Sequence, residues 1–143
     1  MAHISLHHPK LTLEGAEAIA AAKGEAVRIG KPMNIAVVDD GGFLLAFARM
    51  DGAKPASIEI AINKAHAAAI RRQNTGPARS GEEASVLLSL GLAIGSRGHQ
   101  TPIRGGLVLE VNGECVGAIG VSAGTEDEDT EVARAGAAAF VRG

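Results

Sequence analysis

One stretch constrains this chain more than any other: Val111-Asn112-Gly113-Glu114-Cys115-Val116-Gly117-Ala118-Ile119-Gly120-Val121-Ser122. Asn112-Gly113 separates two apolar runs, Gly105 to Val111 and Cys115 to Ser122. Asn-Gly accepts positive φ at both central positions of a type I′ turn, so a β-hairpin is predicted here. Behind it, Thr125 and Glu128 have the spacing of a capping box, which opens a helix over about Glu126 to Val141. That helix has an apolar stripe of Val132, Ala135, Gly136, Ala139 and Phe140. Counting back along the helical period places Asp129 on the same inward face. A buried carboxylate must be paired or protonated, and Lys64 or Arg49 is the expected partner.

The rest of the chain falls into similar units. Residues 1–10 read as an arm ending near Pro9, and 11–143 as a single domain. Thr12 can cap a helix reaching Ile29, with Leu13, Ala16, Ile19, Ala20 and Val27 on one side. Met33 to Val38, the turn Asp39-Asp40-Gly41-Gly42 and Phe43 to Arg49 form a first hairpin. Ser57 to about Arg72 is a helix apolar almost all round, as helices are in a core or between subunits. Ser80-Gly81-Glu82-Glu83 reads as another capping box, opening a short helix through Leu90. Gly91 to Gly106 is then a long, Gly-rich loop of the kind that is often functional. The order α-β-β-α-α-β-β-α needs no parallel crossover. The fold class is therefore α+β, a single antiparallel sheet flanked by helices.

Composition narrows the function. A formal net charge of -2 supplies no field for nucleic acid or an anionic membrane. Phe is the only aromatic and occurs three times, which leaves little surface for stacking bases. No apolar run reaches spanning length, and no signal-peptide core follows His3, His7 and His8, so a cytoplasmic location is expected. Cys115 is the single cysteine and reads as a buried thiol.

Four features carry candidate chemistry. Arg49-Met50-Asp51-Gly52 could grip a carboxylate, with Asp51 orienting Arg49, or be a surface ion pair beside a turn. Lys64, on the second apolar stripe of its helix, could hold an anion or act as a base or Schiff-base former. It could equally be a snorkelling or ion-paired lysine. In the loop, Gly105 and Gly106 allow close approach and free N–H groups for an anion. His99 there could ligate a metal or haem iron, shuttle protons, or simply be solvated. No H-x-x-x-H or C-x-x-C companion supports a preformed zinc site. The run Glu126 to Asp129 complements the helix dipole, and only Asp129 needs a further role.

These words resemble a known family. Met33-Asn34-Ile35-Ala36-Val37-Val38-Asp39-Asp40-Gly41-Gly42, Arg49-Met50-Asp51-Gly52-Ala53, Ser57 to Ala65, Thr101-Pro102-Ile103, Val116 to Ser122, and Asp129 before Val132-Ala133 follow the order of the GlcG/HbpS-like family. That family includes haem-binding HbpS proteins and the C-terminal domain of PduO-type proteins. The resemblance spans about residues 10–140. It implies an antiparallel sheet with packed helices, homo-oligomers, and for some members haem binding; other members come from small-molecule catabolic gene clusters. By position in those words it singles out Asp39, Arg49, Asp51, Lys64, Pro102 and Asp129. Departures occur where the family commonly has Gly-Gly before Pro-Ile and this chain has Gln100-Thr101. They also occur where it has Ser-Gly-Gly and this chain has Ser122-Ala123-Gly124, and where it often has Gln-Asp and this chain has Glu128-Asp129.

The expected function is small-molecule binding, with haem or another carboxylate-bearing ligand held by Arg49 or Lys64 between aliphatic walls. The alternative is a small catabolic enzyme (a lyase, hydratase or isomerase). Arg49 would then bind the substrate carboxylate, and Lys64, Asp129 or His99 would supply acid and base.

Overall fold

The computed structural model describes residues 3, 8–20 and 22–142. The remainder of the expected N-terminal arm lies outside them, while His8 Nε2 sits 3.0 Å from Asp40 Oδ2. The first helical segment is two helices, α1 (Leu13–Ala20) and α2 (Lys23–Ile29). They are followed by β1 (Asn34–Asp39), β2 (Leu44–Arg49) and α3 (Ala56–Arg71). A small ribbon follows, β3 (Arg79–Ser80) and β4 (Glu83–Ala84), and then α4 (Val86–Gly95). The chain continues through β5 (Gly106–Val111), β6 (Glu114–Ser122) and α5 (Glu126–Arg142). One sheet of order β2-β1-β6-β5 is antiparallel throughout, as expected for an α+β chain.

Both hairpins form for the reasons read in the sequence. Asn112 and Gly113 have φ of 51° and 79°, the signs a type I′ turn needs. In the first turn, Asp39 Oδ1 accepts from the N–H groups of Gly41 and Phe43, each at 2.9 Å.

The sheet is packed on both faces. Ile35 and Val37 point to α1, α2 and α5, where Ile19, Ala26, Val132 and Ala133 complete one core. Ala36, Val38 and Ala118 point the other way, to Ala61, Ala65, Ala68 and Ala69 of α3. A strand covered on both sides reads as a continuous apolar run, which is why Ile35-Ala36-Val37-Val38 shows no alternation. The α3 side is built from small residues because the helix lies almost on the strands. A Cβ at Gly120 would collide with the backbone of Ala61 and Ala65. This low seating brings the middle of α3 level with the end of β6.

Three expectations change. The Thr12 cap holds, its Oγ1 accepting from Gly15 N–H at 3.0 Å, but the helix breaks before Lys23. Ala22 N–H bonds to Ile19 C=O, a tighter turn that interrupts the helical phase. Beyond the break Ala26 is buried and Val27 is 67% exposed; Leu13, also expected inside, is 56% exposed. Ser80-Gly81-Glu82-Glu83 is not a capping box. Gly81, at φ 66°, turns the chain within the β3–β4 ribbon. Ser85 is the real cap of α4, its side chain accepting from Leu88 N–H at 3.1 Å. The helix then runs on to Gly95, so the expected long loop is shortened to residues 96–105. Among the described residues no helix is long and apolar enough to cross a membrane.

Candidate functional site

Lys64 and Asp129 meet. Thr125 and Glu128 form the expected capping box, with Thr125 N–H donating to Glu128 Oε1 at 2.9 Å and Glu128 N–H to Thr125 Oγ1 at 3.2 Å. This fixes the phase of α5 and turns Asp129 under the sheet. Lys64 Nζ donates to Asp129 Oδ2 and to the Val121 carbonyl, both at 2.8 Å. The other carboxylate oxygen accepts from Gly124 N–H at 2.9 Å. Lys64 is 1% exposed and Asp129 2%. Burial pushes the Asp129 carboxyl above the ordinary aspartate value, against the pull of Lys64 and of the Gly124 N–H.

Gly105 closes this pair from above. Its φ of 126° suits glycine, and a Cβ there would stand 2.9 Å from Lys64 Nζ and 2.8 Å from the Val121 oxygen. Its carbonyl accepts from Val121 N–H at 3.0 Å. Gly106 is equally engaged: its N–H donates to Thr75 Oγ1 at 2.9 Å and its carbonyl accepts from Thr75 N–H at 2.9 Å. The anion cradle expected of these glycines therefore lacks the Gly106 N–H. The two glycines splice the loop onto the sheet and seal Lys64 in.

The other expected residues lie elsewhere. Arg49 pairs with Asn34 at the edge of the sheet and is exposed, two strands from Ser122. With Asp51 it lines a shallow depression beside Lys23. Asp39 is committed to its turn. His99 is exposed, its ring 4.9 Å from that of His66. Pro102 lines a large apolar cavity.

That cavity is a groove of about 600 Å³ between α3 and α4. Ile60 forms its floor on α3, Val86, Leu90 and Ala93 its wall on α4, and Pro102 and Ile103 its wall on the loop. Most of its polar side chains are already engaged. Ser89 Oγ donates to Ser85 C=O at 2.7 Å and accepts from Ala78 N–H at 2.8 Å. Thr101 Oγ1 accepts from Ile103 N–H at 3.2 Å, and Glu126 is bridged to Arg104 at 3.3 Å. An apolar groove with a few placed polar groups is the usual form of a small-molecule site. Lys64 and Asp129 do not line it. The groove is not legible in the sequence because α4 starts and ends later than its capping pattern suggests; the apolar run Val86 to Ile94, longer than a helix ending at Leu90 would allow, is the available signal.

Fold and groove together define a small α+β domain: an antiparallel sheet packed on both faces, with a groove between α3 and α4 on one side. Residues 11–138 match the family described as haem degrading protein HbpS-like, and the chain belongs to that family. Protein GlcG of Escherichia coli K12 is 37% identical over 108 residues, covering 73% of this chain and 74% of that one. The crystal structure of Klebsiella pneumoniae protein ORFY superposes with a TM-score of 0.88 at 30% identity, over 99% of this chain and 97% of that one. The PduOC:heme complex superposes at 0.81 with 26% identity, over 92% and 95%.

Proposed function

We propose that this protein binds haem, or a ligand of similar flat apolar shape bearing carboxylates, in the groove between α3 and α4. The observation that carries the reading is the groove itself, about 600 Å³ and walled by aliphatic side chains. That size lies within the range of small-molecule sites. The relative solved with haem shares the fold along most of both chains. Ile60, Val86, Leu90 and Pro102 would hold the faces of the ring. Glu126, the one charged lining residue, is already bridged to Arg104, so the ring's own carboxylates belong at the solvent mouth. When bound, haem supplies a redox-active iron and a strong visible absorption. The degradation named in the family description would begin with the same binding step.

The chain acts as a homo-oligomer in this reading. Leu87 and Ile94 of α4 are 83% and 70% exposed and lie outside the groove lining. Apolar side chains so exposed on one short helix mark a contact surface. A catalytic role for Lys64, Asp129 and His99 has weaker support. The first two are sealed under Gly105, and the third stands against His66 instead of joining them.

Titration of the purified protein with haemin tests the reading. A saturable Soret shift at one haem per chain is expected. A response no larger than that of an unrelated protein of the same size would contradict it.

A further inference from the structure

We infer that His66 and His99 form a two-imidazole site for a borderline divalent metal ion such as Zn²⁺ or Cu²⁺. The site is separate from haem and does not depend on the groove being occupied.

His66 is anchored through one ring nitrogen. Its Nδ1 lies 2.9 Å from the Gly42 carbonyl. A carbonyl oxygen only accepts, so Nδ1 carries the hydrogen and the lone pair of the neutral ring is on Nε2. An imidazole anchored through one nitrogen to a backbone carbonyl, with the other nitrogen unprotonated, is the usual state of a metal-ligating histidine. The anchoring is close: a Cβ at Gly42, where φ is 85°, would stand 2.5 Å from His66 Nδ1. Gly42 thus positions the ring, and a side chain there would displace it.

The second ring is already placed. His99 comes from the loop after α4, and its centroid is 4.9 Å from that of His66, with the planes inclined at 60°. Two imidazoles on one ion, with metal–nitrogen bonds of about 2.0–2.1 Å, have ring centres about 5 Å apart in a tetrahedral arrangement. Imidazole nitrogen selects Zn²⁺ or Cu²⁺ over Mg²⁺ or Ca²⁺. The described residues hold no third histidine, cysteine or carboxylate grouped with these two. The ion would therefore keep open positions for water or for a donor atom of a small ligand. Asn63, one turn before His66, and Gly98, next to His99, both line the groove, so those positions adjoin it.

The test uses the full chain, freed of metal and without haem. Calorimetric titration with Zn²⁺ should show one site that weakens at least about tenfold in His66→Ala and again in His99→Ala, the scale typical of lost metal-site contacts. His8→Ala should leave that site unchanged. Bound Cu²⁺ should show coupling to two imidazole nitrogens in its electron paramagnetic resonance spectrum. His99 is exposed, so its substitution keeps the fold and the test stands even if His66→Ala unfolds the chain. Zn²⁺ affinity unchanged in His99→Ala, or no binding beyond what His8→Ala removes, would overturn the inference.

Discussion

Lys64 has its Nζ within 2.8 Å of one carboxylate and one carbonyl, and both it and Asp129 are almost wholly withdrawn from water. Removing one member of such a pair leaves the other buried without compensation. Lys64→Met and Asp129→Asn should each destabilise the fold by about 3–5 kcal/mol. In the double variant the costs should fall short of their sum by more than about 1 kcal/mol, as coupled neighbours do. Denaturant unfolding of the four proteins measures this; additive costs would show that the two side chains do not depend on each other. Ala123 is the second residue that matters on this scale. It holds φ at 115° where β6 passes into α5, a conformation costly for a side chain and open to glycine. Ala123→Gly should therefore stabilise the protein by about 1 kcal/mol despite the freer unfolded chain. A lower melting temperature in that variant would refute the strain.

At the scale of elements, what could be read from the sequence was what local chemistry decides. The turn at Asn112-Gly113 and the capping box of Thr125 and Glu128 each depend on neighbours a few residues away. The inward turn of Asp129 follows from helical phase once α5 is placed. The errors fall where two local solutions compete. Ser80-Gly81-Glu82-Glu83 satisfies the capping pattern, but Gly81 also satisfies a tight turn, and the ribbon wins because Ser85 supplies the cap a few residues later. Moving the start of α4 moved its end as well. Only the last part of the groove wall, at Ala93, was thereby hidden in what read as a loop. The candidate site was legible as a list of residues more than as a place. Pro102 does line the groove, whereas Arg49, Asp51 and Asp39 belong to the opposite edge or to turns, positions that depend on strand order and not on any short word of sequence. Nothing in the sequence pointed to the inferred role of His66, because the Gly42 carbonyl that fixes its ring is 24 residues away.

For the whole molecule, the apolar outer face of α4 predicts association. Light scattering should give a mass that is a multiple of 14.5 kDa at micromolar concentration. Leu87→Asp combined with Ile94→Asp should reduce it toward the single chain without loss of helical signal. A wild-type mass of one chain would remove the homo-oligomer from this account.

In the proposed function the ligand occupies the groove between α3 and α4, while Lys64 and Asp129 hold the fold together behind it. Haemin affinity measured side by side in Leu90→Arg and Lys64→Met tests it most directly, provided both variants are shown to be folded. Binding in the groove predicts a loss of at least about tenfold in Leu90→Arg, equal to about 1.4 kcal/mol, and wild-type affinity in folded Lys64→Met. Unchanged binding in Leu90→Arg together with lost binding in folded Lys64→Met would contradict it.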